Sequence, residues 1–293
     1  MPRIDLVTVG EAFQDLIFVG LPHMPKHGEE LKTARFVSTV GGGAVITATA
    51  AARLGMRAAV ISGLSAEAVD GLRADHVRVV NLKRASEPHA ITVALSDARD
   101  RSFVTFNGVN ARLQPRLPAA VARQAARHIH FAFAPDNCPR WIRIVERLRA
   151  RGTSTSWDFG WNPSLLRQRA FGGLVGCLDF VFVNELEAAM YSRTRRGAPA
   201  IAFWRRAARN TIIKLGRRGS RWIAATRDVI ASAPRVRALD TTGAGDAFNG
   251  GFLFAWLGGR PPRECLRVGN FVGARSTLAA GGLLGLPRRG ELP

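Results

Sequence analysis

The residues best suited to chemistry lie in one short segment near the carboxyl end of the chain. Gly243, Ala244 and Gly245 form a glycine-rich turn before an apolar helix predicted over 248–257, and Asp246 lies in its first turn. Free backbone N–H groups and the helix dipole attract anions at such a point. The segment therefore predicts a carboxylate beside a phosphate-sized anion hole, where it can accept a proton. The alternative is that Asp246 only stabilises the helix N-terminus.

Two common nucleotide-binding motifs do not account for this segment. A P-loop requires GxxxxGK[ST], which occurs nowhere in the chain. The dinucleotide-binding pattern GxGxxG fails because Phe248 occupies its third glycine position. The segment is therefore an anion site of another type.

Two long motifs resemble the signatures of the ribokinase family, the pfkB-type carbohydrate kinases. Residues 240–252 are similar to its carboxyl-terminal signature almost letter for letter. Residues 41–55 are similar to its amino-terminal signature, a Gly-Gly turn before a small-residue helix ending in Ala-Arg-Leu-Gly. Both occur in the right order, which makes the match highly specific. Weaker matches extend it over essentially the whole chain, at Gly10 with Asp15, 101–113, Asp158 with Asn162, Asn184 with Glu187, Gly216 with Gly219, and Asn270.

The resemblance implies transfer of the γ-phosphoryl group of ATP to a hydroxyl of a sugar or sugar derivative. Asp246 matches the family's base, and the backbone of 243–245 matches its anion hole. Asn184 and Glu187 match a motif that organises Mg²⁺ largely through water, a style that suits this ion. The alternative for Glu187 is a solvated helix residue.

The resemblance also implies a nucleotide site. Lys214, Gly216 and Gly219 fall in its strand-turn segment, Asn184 contributes from the metal motif, and Asn270 matches a residue near the adenine. Lys214 stands where a small hydroxyl residue is common, so it either contacts phosphate or is merely exposed.

A monovalent cation such as K⁺ is a further implied ligand. Asp240 and Thr242 match positions that serve such an ion in some relatives. The cation would be held through backbone and side-chain oxygens.

On the acceptor side, Asp15 matches a carboxylate that accepts hydrogen bonds from sugar hydroxyls. Gly42 and Gly43 let the backbone approach the sugar. Arg101 is predicted to contact an anion from a lid strand, the alternative being an ordinary exposed strand residue, and Asn110 follows in the next segment.

Several positions depart from the ribokinase pattern. Phe13 and Ile46 replace asparagines that relatives often carry, and the segment 61–75 lacks the usual Gly-Asp-Asp-x-x-Gly pattern. The glycines at 41–43 and the segment 281–287 resemble a subgroup that includes sulfofructose kinase. Ribose in its usual pose is therefore disfavoured, and a nucleoside acceptor stays open.

The predicted elements give an α/β fold, a doubly wound, mostly parallel sheet flanked by helices and carrying a small β-sheet lid. Strands alternate with helices, as in parallel sheets. Segments 11–38 and 88–106 look like hairpins and break this alternation, so they predict the lid within a single domain over 1–293. The predicted strands are 4–9, 58–61, 129–133, 153–158, 180–183 and 211–215, and the predicted helices are 44–54, 119–127, 141–151 and 200–208.

Composition is typical of a folded, non-membrane protein. The chain has 293 residues, of which 47% are apolar, enough to bury about three quarters of the unfolded surface. Apolar stretches such as 174–183 are too short or too charged for a membrane span. The amino terminus lacks the apolar region of a signal peptide, and Cys138, Cys177 and Cys265 form no cluster. We expect a cytoplasmic protein without disulfides.

The formal net charge of +20 raises the question of a nucleic-acid partner. The arginines are scattered rather than gathered in a tail or on one helix face, which favours a codon bias toward arginine. Two further alternatives stay open, a nucleoside kinase and a catalytically idle binding module of the same fold. Accessory sheets of this family often pair with a second copy, so a homodimer through the lid is expected.

Overall fold

The computed structural model describes residues 3–97 and 101–293. Its strands are β1 Ile4–Gly10, β2 Phe13–Leu21, β3 Arg35–Gly41, β4 Ala58–Ser62, β5 Arg78–Asn81, β6 Ile91–Asp97, β7 Arg101–Phe106, β8 Ala126–Ala132, β9 Ser154–Asp158, β10 Phe180–Asn184, β11 Thr211–Lys214, β12 Ser220–Ala224 and β13 Arg227–Ala231. Its α-helices are α1 Gly43–Arg53, α2 Ala66–Ala74, α3 Leu117–Ala122, α4 Cys138–Ala150, α5 Phe171–Cys177, α6 Glu185–Ser192, α7 Ala198–Ala207, α8 Ala244–Leu257 and α9 Pro262–Ser276.

The larger sheet has the order β13-β12-β11-β10-β9-β8-β1-β4-β5 in the described part of the chain. Neighbouring strands from β11 to β5 run parallel, whereas β12 and β13 are antiparallel additions at one edge. The carboxyl ends of the parallel strands share one edge, which is where ligands bind in such sheets. The predicted α/β fold is confirmed.

Helices cover both faces of this sheet. On one face α3 to α7 bury an aromatic core that includes Phe131, Trp141 and Trp157. On the other, α1, α8 and α9 bury a second core around Phe182 and Phe252. Burial on both faces explains why the central strands are apolar runs rather than alternating ones.

The smaller sheet is separate and has the order β3-β2-β6-β7. The pair β2 and β6 is parallel, and the other two pairs are antiparallel. Its strands fall in the two segments predicted to interrupt the alternation, except that β3 continues to Gly41. Asp15 and Ile17 are buried on one face, and Phe36 and Phe106 are exposed on the other.

Some element boundaries differ from the prediction. The helix after the glycine-rich turn begins at Ala244 rather than at 248, because Gly243 adopts φ 69° and starts it. The predicted helix 119–127 ends at Ala122, since Ala126 already pairs with Ile4 in the sheet. The segment 61–75, which lacks the usual motif, contains α2, whose first turn is capped by the Ser65 hydroxyl.

Two predictions from composition concern membrane-spanning helices and the cysteines. Within 3–97 and 101–293, no helix combines the length and apolar character needed to cross a bilayer. All three cysteines are free thiols, and Cys138 and Cys265 are buried as small apolar side chains are.

Candidate active site

The anion-hole turn requires glycine at its first position. Gly243 has φ 69°, in the left-handed region that favours glycine, and a Cβ atom there would overlap Ile46 Cδ1. The Gly243 carbonyl accepts hydrogen bonds from the N–H groups of Asp246 and Ala247 at 3.0 and 2.9 Å. These bonds fix the turn so that Gly245 borders the neighbouring cavity.

Asp246 is where the two signature segments meet. A Cβ atom on Gly43 would lie 2.9 Å from Asp246 Oδ1, so only a glycine there leaves the carboxylate undisturbed. The Thr47 hydroxyl donates to the main-chain oxygen of Asp246 at 3.0 Å. The start of α1 therefore lies directly against the first turn of α8.

The surroundings of Asp246 raise its pKa to about 7. Burial contributes most, and the negative charge of Asp158 adds to it. The positive charge of Lys214 opposes the shift, and Glu187 reinforces it. A carboxylate whose pKa lies near neutrality is well matched to general-base work.

Lys214 is largely buried, so the interpretation of it as merely exposed is wrong. Its Nζ lies 2.6 Å from Asp158 Oδ2, and the two side chains are 15% and 10% exposed. Burial acts to lower the pKa of Lys214, but the charges of Asp158, Glu187 and Asp246 outweigh it and raise the pKa. Lys214 is therefore a fixed cation within the site.

A cavity of about 820 Å³ opens beside the turn. Six of the predicted site residues line it, namely Lys214, Gly216, Gly219, Ala244, Gly245 and Asn270. Arg217, Arg218 and Arg235 also line it and give it a positive rim. The Asn270 side chain donates to the carbonyls of Ala231 and Ser232, so it holds the cavity wall in place.

Asn184 and Glu187 form a capping box at the start of α6. The Glu187 N–H donates to Asn184 Oδ1 at 2.9 Å, and the Asn184 N–H donates to Glu187 Oε2 at 2.8 Å. Glu187 is buried, so its interpretation as a solvated helix residue is wrong. Burial and the charge of Asp158 raise its pKa.

The donor set around Glu187 fits an ion held through water. Across the described ranges, no three His, Cys, Asp or Glu side chains gather as a metal site. One oxygen of Glu187, Oε2, accepts the cap hydrogen bond, and its other oxygen takes no part in the cap. Mg²⁺ commonly keeps several waters and is completed by substrate phosphates.

Asp15, the residue predicted to bind the acceptor, lies on the face of the smaller sheet that also carries Ile17. It is buried, and burial together with the charge of Asp240 raises its pKa to about 7. A Cβ atom on Gly41 would overlap the Asp15 carboxylate, and one on Gly42, at φ 103°, would overlap Glu11 O. Three consecutive glycines thus let the backbone pass between Asp15 and Asp246.

Ile46 lies behind the anion-hole turn. It is 2% exposed, and its Cδ1 packs against Gly243 and Gly282, where Cβ atoms would overlap it. The side chain therefore packs against the turn, and its contact with the acceptor stays a prediction. Phe13 is half-buried and faces a small hollow with Ala90.

Arg101 and Asn110 flank the acceptor side along the chain. Arg101 begins β7 opposite Ser96, and its side chain lies outside the described residues. Asn110 is buried and donates to the carbonyl oxygen of Ala12 at 3.0 Å.

Asp240 closes the loop before the turn. Its Oδ1 accepts from the N–H and hydroxyl of Thr242 at 2.9 and 2.7 Å, and its Oδ2 accepts from the Gly281 N–H at 2.8 Å. The carboxylate thus joins two loops, and its role toward a monovalent cation stays a prediction.

Sequence reasoning missed Asn249 and gave Asp158 no role. Asn249 Nδ2 donates to Asp158 Oδ2 at 2.8 Å. The available signal was its spacing, because a polar residue three positions after Asp246 in an otherwise apolar helix lies on the same face as Asp246.

Similarities to known proteins identify the family of this chain. The family model described as "pfkB family carbohydrate kinase" matches residues 3–289. Ribokinase of Bacillus subtilis is 25% identical over 301 residues, covering 98% of both chains. The adenosine kinase structure from Sinorhizobium meliloti has a TM-score of 0.82 at 23% identity, covering 96% of this chain and 95% of that one. Arabidopsis thaliana ribokinase complexed with ribose and ATP has a TM-score of 0.79 at 21% identity, covering 98% and 97%. With both signature segments meeting at Asp246, this chain belongs to the pfkB family of carbohydrate kinases.

Proposed function

We propose that this chain transfers the γ-phosphoryl group of ATP to a hydroxyl of a sugar or sugar derivative. The observation that carries the proposal is the position of Asp246, between the cavity bordered by Gly245 and the glycine at position 43. A base at that point reaches a hydroxyl on one side and a phosphoryl group on the other.

In this proposal Asp246 accepts the proton of the acceptor hydroxyl as the oxygen attacks phosphorus. The pKa of about 7 leaves a large fraction of the carboxylate ionised near neutrality. The backbone N–H groups at 243–245 stabilise the charge on the transferred group. Asp15 orients the acceptor by accepting its hydroxyl hydrogen bonds.

The nucleotide occupies the 820 Å³ cavity, with its phosphates toward Gly245 and Lys214. Asn184 and Glu187 would hold Mg²⁺ through water. Mg²⁺ supplies neutralisation of phosphate charge when bound. The capping box keeps the Glu187 carboxylate fixed at the strand end where that water shell would lie.

A nucleoside is the alternative acceptor, and one feature of the smaller sheet supports it. The pairing register puts Phe103 on the face that carries Asp15, because Ile17 pairs with Ala94 and Ala94 pairs with Phe103. The Phe103 ring is 54% exposed. An aromatic ring there can stack on a base or on the apolar face of a sugar.

The test is an ADP-release screen over ketoses, aldoses, sugar acids, sulfosugars and nucleosides, with the phosphorylated product identified by mass spectrometry. We expect one acceptor class to stimulate ADP release and Asp246→Asn to abolish the stimulation. Nucleotide binding without transfer to any acceptor would identify an idle binding module instead.

We also propose that a second copy covers the outer face of the smaller sheet. The strand register puts Phe18, Phe36, Val104 and Phe106 on this face, and the last three are more than half exposed. Among the described strand residues, the alternation brings one charged residue to this face, Asp97 at the end of β6, so aromatic and aliphatic side chains form its centre. Light scattering on wild type and Val104→Asp tests this. We expect a dimer that Val104→Asp dissociates, and a wild-type monomer would refute the proposal.

A further inference from the structure

A buried ionic cluster lies under the first turns of α8. Asp158, at the end of β9, binds the Lys214 ammonium at 2.6 Å and the Asn249 amide at 2.8 Å through the same oxygen, Oδ2. Its Oδ1 accepts the Gly160 N–H at 3.2 Å. Both carboxylate oxygens are therefore engaged, which fixes the orientation of the carboxylate and with it the position of the ammonium.

The Lys214 ammonium lies against the anion-hole turn. A Cβ atom on Gly245 would be 3.0 Å from Lys214 Nζ. Lys214 also lines the 820 Å³ cavity, so the ammonium stands at the border between the cavity and the residue before Asp246. A phosphoryl group seated at the helix start would be its immediate neighbour.

Stability alone does not explain this cluster. Replacing a buried ion pair by packed apolar residues is often neutral or stabilising, because the desolvation cost offsets the attraction. Lysine is also a compact point charge that suits phosphate, and here its stem is enclosed rather than free to move. The desolvation of this ammonium costs free energy. A cation kept at such a cost, at the point where negative charge would develop, is typical of a functional site.

We propose that Asp158 and Asn249 are positioning residues that hold the Lys214 ammonium against the anion hole, where it contacts the terminal phosphoryl group of the nucleotide. The inference rests on the proposed function and deepens it. Asp158 acts through Lys214. Asn249 lies one helical turn after Asp246 on the same helix. The proposed base and the residue that helps to hold the Lys214 counter-ion are therefore fixed to each other.

The test compares Asp158→Asn, Lys214→Met and the double variant. Asp75→Asn is the matched control, because Asp75 forms another largely buried ion pair, with Arg53 at 2.8 Å and 16% exposure of both side chains. The readouts are kcat, the KM of the acceptor, and the ratio of the dissociation constants of ADP and the non-hydrolysable ATP analogue AMP-PNP at fixed Mg²⁺.

We expect Asp158→Asn and Lys214→Met each to lower kcat by about 10²–10³-fold, the usual effect of removing one preorganised electrostatic group. The acceptor KM changes far less, and both variants lose the preference for AMP-PNP over ADP. The double variant behaves like Lys214→Met, since Asp158 has no further effect once the ammonium is gone. Asp75→Asn lowers stability but keeps all three readouts at their wild-type values.

The proposal is overturned if Asp158→Asn keeps kcat and the AMP-PNP preference, or if it lowers kcat as much in the Lys214→Met background as in wild type. If Asp158→Asn alone does not fold, the double variant, which leaves no unpaired buried charge, is compared with Lys214→Met in its place. Failure of the proposed function gives a different experimental result from failure of this inference. In that case wild type transfers phosphate to no acceptor, while the AMP-PNP preference and its loss in Asp158→Asn are still measured.

Discussion

The Thr47 hydroxyl donates a 3.0 Å hydrogen bond to the main-chain oxygen of Asp246. Thr47 lies in α1, just after the acceptor-side glycines, and Asp246 lies in the first turn of α8. The bond therefore joins two segments that are 199 residues apart in the chain. Because it reaches the backbone of the base rather than its carboxylate, it fixes the position of Asp246 and leaves both carboxylate oxygens free of this contact.

The contact between Gly43 and Asp246 gives the first prediction. In Gly43→Ala the added Cβ would lie 2.9 Å from Asp246 Oδ1, so the carboxylate or α1 must shift. We expect kcat to fall by about 10²-fold, as displacements near 1 Å do at reacting groups. Gly172→Ala in α5 is the control, because nothing lies within 4 Å of its added Cβ. Equal activity of the two variants would show that Gly43 does not position the base.

The second prediction concerns Asp246→Asn. The amide keeps the size of the carboxylate but accepts no proton, so we expect kcat to fall by about 10²–10⁴-fold. Nucleotide affinity, measured by calorimetry with AMP-PNP, should stay close to that of wild type. If the variant kept more than about a tenth of the wild-type kcat, Asp246 would not be the base.

The same residue should cost stability at alkaline pH. The pKa of Asp246 is raised from 3.8 to about 7 in the folded chain, so the folded state loses stability as pH rises through this range. We expect Asp246→Asn to raise Tm at pH 8 by several degrees and to have little effect at pH 4. Asp70→Asn, at a surface ion pair, is the control and should leave Tm unchanged at both pH values. A Tm increase of the same size at pH 4 would show that the effect is not electrostatic.

The sequence predicted the elements and motifs that depend on local pattern. Alternating apolar runs and helices predicted the parallel sheet, and the turn at 243–245 predicted a helix after it with Asp246 in the first turn. Both are local properties, since a glycine run and an apolar period are visible in a few consecutive residues.

The features of the site that the sequence did not predict depend on contacts between residues far apart in the chain. Lys214 is buried because Asp158, 56 residues earlier, provides its counter-charge, and no local pattern shows that pairing. The sequence also could not decide whether Asn184 and Glu187 cap the helix or organise a metal ion, because Asn-x-x-Glu before a helix is itself a capping signal. The packing of Ile46 against Gly282 likewise joins distant parts of the chain.

A fourth prediction separates capping from a metal-organising role. In Glu187→Gln the amide oxygen can still accept the Asn184 N–H, so the cap and the fold are preserved. We expect a higher Mg²⁺ concentration for half-maximal rate and little change in acceptor KM. Glu185→Gln is the control from the same helical turn. An unchanged Mg²⁺ titration together with a weakened acceptor would contradict the assignment.

The last prediction concerns Ile46, for which the family resemblance and the structure give different expectations. A residue facing the acceptor would change the ratio of kcat/KM values between ribose and the preferred substrate. A residue packed under Gly243, as the structure shows, would instead affect every acceptor alike. Ile46→Val removes the Cδ1 methyl that supports the turn and costs about 0.5–1.5 kcal/mol of stability. We expect kcat to fall by a similar factor for all acceptors, with their ratio preserved. Ile17→Val, a buried residue on the smaller sheet, is the control for the loss of a methyl group. A change in the ratio specific to Ile46→Val would place this side chain in the acceptor site.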